Sequence, residues 1–311
     1  MNRLLVLFLA GCSSDFGLQT FEPPVSGGDD TAAPDTAAPE PAEDTGYFEE
    51  VEEPEPAEEE EEEKIPEEDE PPEDDCTETS DLIYVIDRDL ERLSLFDPET
   101  LTFSHLGILD CPRGSATPGS MAISRSGMAY VRYSDNQVYE VSLDDLSCTQ
   151  TDYSSGSFGS FGMGYATNDA DTWRDQLYIA NSSQVALLGT DDWSRDVFGG
   201  MPSQSELTGT SSGELWAFLP LESPAMLAEI DKDTGAVGER IRMSNFPNLG
   251  DIDTFAFAAW GGTFWLFVRT YGMGSSTDVF HVSTSGTLHR VLEDVGFDVV
   301  GAGASTCAPS K

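Results

Sequence analysis

A segment of small and weakly apolar residues recurs along residues 76–311 of this 311-residue chain. Its copies are spaced by about 43 to 46 residues, within the range of roughly 40–50 residues that many repeat architectures use. The copies lie at 119–124 (Gly-Ser-Met-Ala-Ile-Ser), 162–167, 207–211, 253–258 and 299–304. Each copy except the last precedes a turn and an aromatic or β-branched stretch, such as 215–218 (Leu-Trp-Ala-Phe). The spacing therefore indicates an array of similar units.

Short strands fill each repeat. Runs such as 82–86 (Leu-Ile-Tyr-Val-Ile) and 264–268 (Phe-Trp-Leu-Phe-Val) are bounded by Gly, Asp, Asn and Ser, a pattern that is typical of β-strands. Helical periodicity is almost absent, so we predict an all-β domain over residues 76–311. The period and the strand order resemble the blades of a β-propeller, which have four strands each. In such a fold the inner strands crowd the central axis, which accounts for the small residues of the recurring segment.

The ends of the repeat region predict how the ring closes. The last recurring segment, 299–304, has no strands after it, and the strand at 82–86 has no recurring segment before it. We therefore expect the C-terminal strand to complete the first blade, which gives five blades of four strands. Two alternatives remain open at this stage: six blades, if residues 189–204 form an irregular one, or a β-sandwich.

Four cysteines in the repeat region fit this closure. Cys76 precedes the first strand and Cys307 follows the last one, so a Cys76–Cys307 disulfide would latch the ring. Cys111 and Cys148 are expected to end the outer strands of adjacent blades, where they could pair with each other. Four cysteines allow three connectivities, and free buried thiols are the alternative. Zinc is disfavoured because no Cys-x-x-Cys pair occurs and the three histidines are scattered.

The N-terminus carries an export signal. Arg3, an apolar run at 4–9 and small residues before Cys12 form the pattern of a secretory leader. The sequence Leu9-Ala10-Gly11-Cys12 resembles the lipobox of bacterial lipoproteins. The resemblance implies that residues 1–11 are a signal peptide, that Cys12 receives lipid, and that Ser13 directs the protein to the outer membrane, on its periplasmic or its cell-surface face. A membrane-spanning segment is disfavoured, because roughly six to eight apolar residues fall short of the roughly 20 that span a bilayer. An ordinary cleaved signal peptide with an incidental cysteine is the other alternative.

Residues 12–75 form a second region of different composition. They are rich in proline and acid, with an unbroken glutamate run at 58–63, and Lys64 is a rare base among them. Such a segment lacks the apolar surface that would offset the entropy of ordering, so we predict a disordered tether. With a formal net charge of −43, the chain repels nucleic acid, which we exclude as a partner. Recruitment of basic proteins or Ca²⁺ by the acidic segment is the alternative to a plain spacer.

Catalytic motifs in the sequence are weak. Residues 209–213 match Gly-x-Ser-x-Gly, but a strand follows where the hydrolase motif needs a helix. Gly301-Ala302-Gly303 lacks the third glycine and the helix of a dinucleotide-binding loop. Acids occur only at the edges of the inner strands, at Asp253 and Glu206, so we expect an apolar or weakly polar channel that does not suit a glycosidase.

Metal-binding and acid–base patterns are equally incomplete. The pairs Asp169/Asp171 and Asp231/Asp233 could contact Ca²⁺, but neither extends into a full spaced-ligand loop, so we assign no cofactor apart from this Ca²⁺ option. His105, His281 and His289 lack an adjacent nucleophile and are interpreted as strand or surface residues.

Aromatic and methionine side chains beside Gly/Ser-rich stretches are the candidate binding residues. They are Phe161, Met163, Trp193, Tyr271 and Met273, and filling of the core between blades is the alternative role. We expect a monomeric, non-enzymatic lipoprotein, anchored to the membrane through Cys12, that displays a propeller for binding a protein or a glycan. An envelope hydrolase that uses the channel and a purely structural envelope component are the competing hypotheses.

Overall fold

The computed structural model describes residue 76 and residues 81–168, 174–210, 212–243, 245–247, 252–271 and 273–309. The signal peptide, Cys12, the acidic tether and the Asp169/Asp171 pair lie outside the described residues. Every regular element described is a strand. In chain order the strands are β1 (Ile83–Asp87), β2 (Arg92–Asp97), β3 (Thr102–Ile108), β4 (Pro118–Ile123), β5 (Met128–Tyr133), β6 (Val138–Ser142), β7 (Cys148–Gln150), β8 (Gly162–Thr167), β9 (Asp175–Ala180), β10 (Gln184–Leu188), β11 (Arg195–Gly200), β12 (Glu206–Gly209), β13 (Leu215–Leu219), β14 (Met226–Ile230), β15 (Val237–Arg242), β16 (Ile252–Trp260), β17 (Thr263–Thr270), β18 (Met273–Val282), β19 (Leu288–Leu292) and β20 (Val299–Ala304).

The strands form five antiparallel four-stranded sheets, which are the blades of a β-propeller. The first blade has the order β20-β1-β2-β3, and the others are β4–β7, β8–β11, β12–β15 and β16–β19. The five-bladed prediction is confirmed, and both alternatives are wrong. The stretch 189–204 contains β11, which is the outer strand of the third blade and pairs with β10.

The first blade is closed by the C-terminal strand, as the sequence predicts. β20 pairs antiparallel with β1, with Ile83 opposite Ala304 and Val85 opposite Ala302. Neighbouring inner strands run parallel and nearly touch: a Cβ on Gly303 would lie 2.9 Å from a side-chain carbon of Ile123 in β4. All inner strands therefore begin at one end of the axis, the entry face, and end at the other, the exit face.

Two disulfides secure the ring, with the connectivity that the sequence analysis favours. Cys76 bonds to Cys307, with the Cα atoms 5.9 Å apart, and Cys111 bonds to Cys148, with the Cα atoms 5.1 Å apart. The first bond joins Cys76, at the start of the domain, to Cys307 in the segment that follows β20. The second links the first blade to β7 of the second blade.

The hydrophobic core lies between adjacent blades rather than in one central mass. In the layer between the fifth and first blades, Phe96 packs edge-on against Trp265 and Phe267, with ring centroids 5.3 and 5.5 Å apart. Phe218 of the fourth blade packs against Phe257 of the fifth, with ring centroids 5.9 Å apart and the rings tilted by 47°. Alternate residues of each strand thus face opposite neighbouring blades. In the part of the chain that the structure describes, no helix has the length and apolar character needed to cross a membrane.

Candidate functional site

A pocket of about 220 Å³ opens on the exit face between the fourth and fifth blades. It forms where the hairpins β12–β13 and β16–β17 face each other, because both inner strands end and turn there. The C-terminal segment after β20 closes the remaining side. The residues that line it include the acidic, aromatic and hydroxyl side chains of Glu214, Trp216, Glu239, Trp260, Phe264 and Ser305.

Aromatic rings form the inner part of this pocket. Trp216 of β13 and Phe264 of β17 are buried and lie 5.0 Å apart between ring centroids, at an angle of 59°. The indole Nε1 of Trp216 is buried and has no hydrogen-bond partner among the described residues. Trp260 stands at the end of β16 and donates its indole N–H to the carbonyl of Asp81 at 2.6 Å. These rings give the pocket apolar walls with one unused donor, which costs free energy unless an acceptor reaches it.

The C-terminal segment is held in place as a wall of the pocket. Gly261, with φ of 60°, donates its backbone N–H to the carbonyl of Pro309 at 2.7 Å. The Cys76–Cys307 disulfide fixes the same segment two residues earlier. Because the wall is tied to blade five and to the start of the domain, the pocket is part of the rigid scaffold rather than a loop arrangement.

Carboxylates surround the mouth of the pocket. Glu214 and Glu239 line it, and Glu229 lies close enough to both that their charges, after burial, raise the pKa of Glu229. Glu214 accepts hydrogen bonds from the hydroxyls of Thr210, at 3.2 Å, and Ser212, at 3.4 Å. Among the described residues, the pocket lining contains no lysine, arginine or histidine. The electrostatic potential of the pocket is therefore negative.

A buried carboxyl group lies at the entry face of the axis. Glu206 begins β12 and is 4% exposed, and its Oε2 accepts a hydrogen bond from Ser120 at 2.7 Å. Ser120 belongs to the second blade, so this bond spans β8, where the absent side chain of Gly162 leaves room for the Glu206 carboxyl. The Ser120 hydroxyl also accepts the N–H of Met163 at 3.1 Å.

Burial controls the ionisation of this group. Desolvation raises the pKa of Glu206 to about 8, although the Ser120 hydrogen bond and the positive charge of Arg132 oppose the shift. Arg132 is itself buried and donates to the carbonyl of Phe161 at 2.7 Å. Glu206 is the first residue of β12, so it lies at the edge of an inner strand, as the sequence predicts. Its burial and its hydrogen bond to Ser120 depend on how three blades pack together, which the sequence pattern does not show.

A second polar group on the entry face joins the fifth and first blades. Arg88 contacts Asp298 at 2.5 Å and Asp253 at 3.2 Å, and Arg269 pairs with the same two carboxylates. Tyr271 is 63% exposed and donates its hydroxyl to Asp253 at 2.6 Å. Burial raises the pKa of Asp298, whereas the bonds from Tyr271 and Arg88 outweigh burial and lower that of Asp253. Each carboxylate is thus balanced by an arginine.

The five predicted binding residues do not share one exposed face. Phe161 and Met163 are 1% and 0% exposed, so their assignment as accessible binding residues is wrong: they fill the core between the second and third blades. Trp193 is partly buried against Tyr130, with ring centroids 6.0 Å apart. Tyr271 is the exposed member of the set. Met273 begins β18, and its side chain lies outside the described part of the structure.

The weak motifs have structural roles where they are described. Residues 209–213 form the β12–β13 hairpin, with Ser211 outside the described residues, and a Cβ on Gly301 would lie 2.9 Å from the backbone N of Met121. Asp231 caps the β14–β15 turn by accepting the N–H groups of Asp233 and Thr234. These contacts match the turn and close-packing interpretations. Ca²⁺ binding stays a prediction.

The histidines do not converge in one site. His105 Nδ1 lies 2.9 Å from the Ser94 hydroxyl, but Ser94 is fully buried within β2. His281 and His289 face each other across β18 and β19. Within the described residues, no group of three or more His, Cys, Asp or Glu side chains is arranged to hold a metal ion.

Comparison with known proteins adds a likeness in shape. No family model matches this sequence, and no curated protein matches it. A solved protein of unknown function from Bacteroides caccae is 8% identical, with a TM-score of 0.41, over 71% of this chain and 97% of that chain. A chain of a nidogen/laminin complex is 11% identical, with a TM-score of 0.45, over 72% of this chain and 98% of that chain. At these identities the likeness is confined to the backbone.

Proposed function

We propose that this protein is a lipid-anchored envelope protein whose propeller binds a protein or glycan partner without catalysing a reaction. The observation that carries the proposal is the exit-face pocket, in which buried aromatic rings meet polar side chains in a rigid setting. Concave sites of this kind, mostly apolar with a few placed polar groups, are the usual form of binding sites. The β-propeller supplies the scaffold.

The anchor in this proposal is Cys12. Two or more acyl chains hold a protein stably on a membrane, whereas one chain binds reversibly. Residues 12–75 would then separate the propeller from the lipid surface, and their acidic part, residues 21–75, would reach about 170 Å as an extended polyproline-like chain. The disulfides at Cys76 and Cys111 fit an exported protein, since such bonds persist in oxidising compartments. We place the protein on the periplasmic or cell-surface face of a bacterial outer membrane.

Fractionation tests the anchor. We expect the wild-type chain to sediment with the outer membrane and Cys12→Ser to be released or retained as an unprocessed precursor of higher mass. Protease treatment of intact cells then separates the two faces, because only a surface-exposed tether is cut. Membrane association of a processed Cys12→Ser chain would overturn the lipid anchor.

Site-specific photocrosslinking in intact cells tests the binding face. A photoreactive residue at Thr284, on the pocket rim, is compared with one at Thr102, exposed on β3 of the first blade. We expect a discrete crosslinked species from position 284 and none of the same mass from position 102. The same product from both positions, or none from either, would refute the assignment of the pocket as the partner-binding face.

The absence of catalysis in this proposal is supported by the state of the entry-face acids. Glycoside hydrolysis needs two carboxyl groups that contact the substrate. Glu206 is buried behind its bond to Ser120, and Asp253 and Asp298 are paired with arginines. Hydrolysis of envelope polysaccharide by the purified chain, lost in Glu206→Gln, would favour the glycosidase alternative instead.

A further inference from the structure

We propose that the exit-face pocket receives a lysine or arginine side chain presented by a peptide segment of a partner protein. This inference rests on the proposed binding function and names the chemistry that the pocket recognises. The volume of about 220 Å³ is below the roughly 300–1,000 Å³ of sites for drug-sized ligands. It suits one long side chain better than a chain of sugar rings.

Charge is the first argument for a basic side chain. Glu214 and Glu239 line the pocket and Glu229 lies beside them, and none of the three forms an ion pair among the described residues. Burial, and after it the negative charges of Glu214, Glu239 and Asp231, raise the pKa of Glu229. A cation placed between these carboxylates offsets their negative charge, while a phosphate, sulfate or uronic acid would add to it.

The aromatic walls are the second argument. Trp216, Phe264 and Trp260 offer ring surface beside the carboxylates, and a cation near an aromatic face is attracted by the ring quadrupole. The alkyl stem of lysine or arginine packs against such walls while its charged end reaches the acids. A small inorganic cation would make no use of these rings.

The unused indole N–H of Trp216 is the third argument. Trp216 lines the pocket, and its indole Nε1 is buried without an acceptor in the described structure. In the proposal, a small shift of the ring exposes this donor to a backbone carbonyl of the bound peptide, an acceptor that a free alkylamine lacks. The hydroxyls that a sugar would need are partly engaged: Thr210 and Ser212 donate to Glu214, and Thr263 donates to the carbonyl of Trp260.

Indole ¹⁵N–¹H spectra of the full chain in detergent provide the assay. The probes are acetyl-Gly-Arg-Gly-amide, acetyl-Gly-Lys-Gly-amide, the norleucine peptide of the same length, methylguanidinium and a neutral disaccharide. The Trp216 signal is assigned with Trp216→Phe. We expect saturable shifts of this signal with the two basic peptides, at least about tenfold weaker binding of the norleucine peptide and of methylguanidinium, and weakening by added salt.

The test variant carries both Glu214→Gln and Glu239→Gln. The matched control is Glu99→Gln, because Glu99 is an exposed glutamate in the β2–β3 turn of the first blade. We expect the double variant to bind the arginine peptide about 5- to 30-fold more weakly, from two ion pairs of ordinary strength, and the control to bind like wild type. Circular dichroism and thermal unfolding establish that each variant is folded.

Several results would overturn the inference without touching the lipid anchor. Equal binding of the norleucine peptide, an unchanged affinity in the folded double variant, or no saturable shift with either basic peptide each contradicts a basic side chain. A larger response to the disaccharide assigns the pocket to glycans instead. Equal binding of methylguanidinium contradicts the peptide backbone contact. The proposed function as a whole fails separately, in the Cys12→Ser and photocrosslinking experiments.

Discussion

Glu206→Gln is the substitution that most directly tests the axial site. Glutamine keeps the size of the side chain and an oxygen that can accept the Ser120 hydroxyl, but it cannot ionise. In the fold, burial raises the pKa of Glu206 from 4.5 to about 8. Between these two pH values the unfolded chain has lost a proton that the folded chain retains, so wild-type stability falls by about 1.4 kcal/mol per pH unit.

The sign and size of the effect follow from this difference. Below pH 4.5 the carboxyl group is protonated in both states and its full contribution to stability is present. That contribution is lost as the pH rises and is gone above pH 8, whereas Glu206→Gln has no such dependence. We expect the variant to gain on the wild type by about 4 kcal/mol between pH 5 and pH 8, or roughly 8–16 °C in Tm for a domain of this size.

The assay is thermal or urea unfolding of both full chains at pH 5, 6, 7 and 8 under non-reducing conditions. Other titrating groups are common to both chains and cancel in the difference. Glu99→Gln is the control, because Glu99 is exposed and its difference from wild type is expected to stay constant with pH. Parallel curves for Glu206→Gln and wild type would refute the reasoning, since they would mean that Arg132 keeps the buried group ionised.

Two further predictions concern closure of the ring. The Cys76–Cys307 bond spans 231 residues and the Cys111–Cys148 bond spans 37. Loop entropy therefore predicts that replacing each pair by serine lowers the free energy of unfolding by about 5 and about 4 kcal/mol, respectively. Urea unfolding of the two variants measures both losses, and an equal or reversed order contradicts the assignment of the first bond as the ring latch. Gly162→Ala should lose about 1–3 kcal/mol, because its Cβ would lie 2.7 Å from the Cα of Glu206. Gly200→Ala, whose Cβ would meet nothing closer than 3.7 Å, should stay near wild type in the same thermal unfolding assay.

The strand pattern and its period predicted the architecture because every blade is built from the same local arrangement of four short strands, which the ring repeats five times. The segment 299–304 is β20 without a shift of either boundary, and its pairing with β1 follows from the unpaired ends of the repeat. The disulfides follow for the same reason, since each cysteine flanks a strand whose place in the ring was already set. Gly162 and Gly301 lie where a Cβ would collide with a neighbouring inner strand, as the predicted crowding of the inner strands requires.

The candidate site was not predictable in the same way, since it depends on which blades and which faces come together. Trp216 and Glu239 are 23 residues apart in the chain and unremarkable in the strand pattern, and only the facing of blades four and five brings them to one pocket with Ser305. Phe161 and Met163 failed as binding residues for the converse reason. Their Gly/Ser-rich surroundings resemble an exposed loop, but the glycines serve to let β8 approach its neighbours.

The two acidic features of the molecule differ in a way that bears on function. At the entry face every described carboxylate of the axial groups has a partner, as Glu206 has Ser120 and Asp298 has Arg88. At the exit face Glu214, Glu229 and Glu239 form no ion pair among the described residues, although Lys232 lines a neighbouring cleft with Glu214 and Glu229. The partners of the buried acids at the entry face therefore serve the closure of the ring. The exposed carboxylates of Glu214 and Glu239 at the exit face are the charges that the proposed basic side chain would meet.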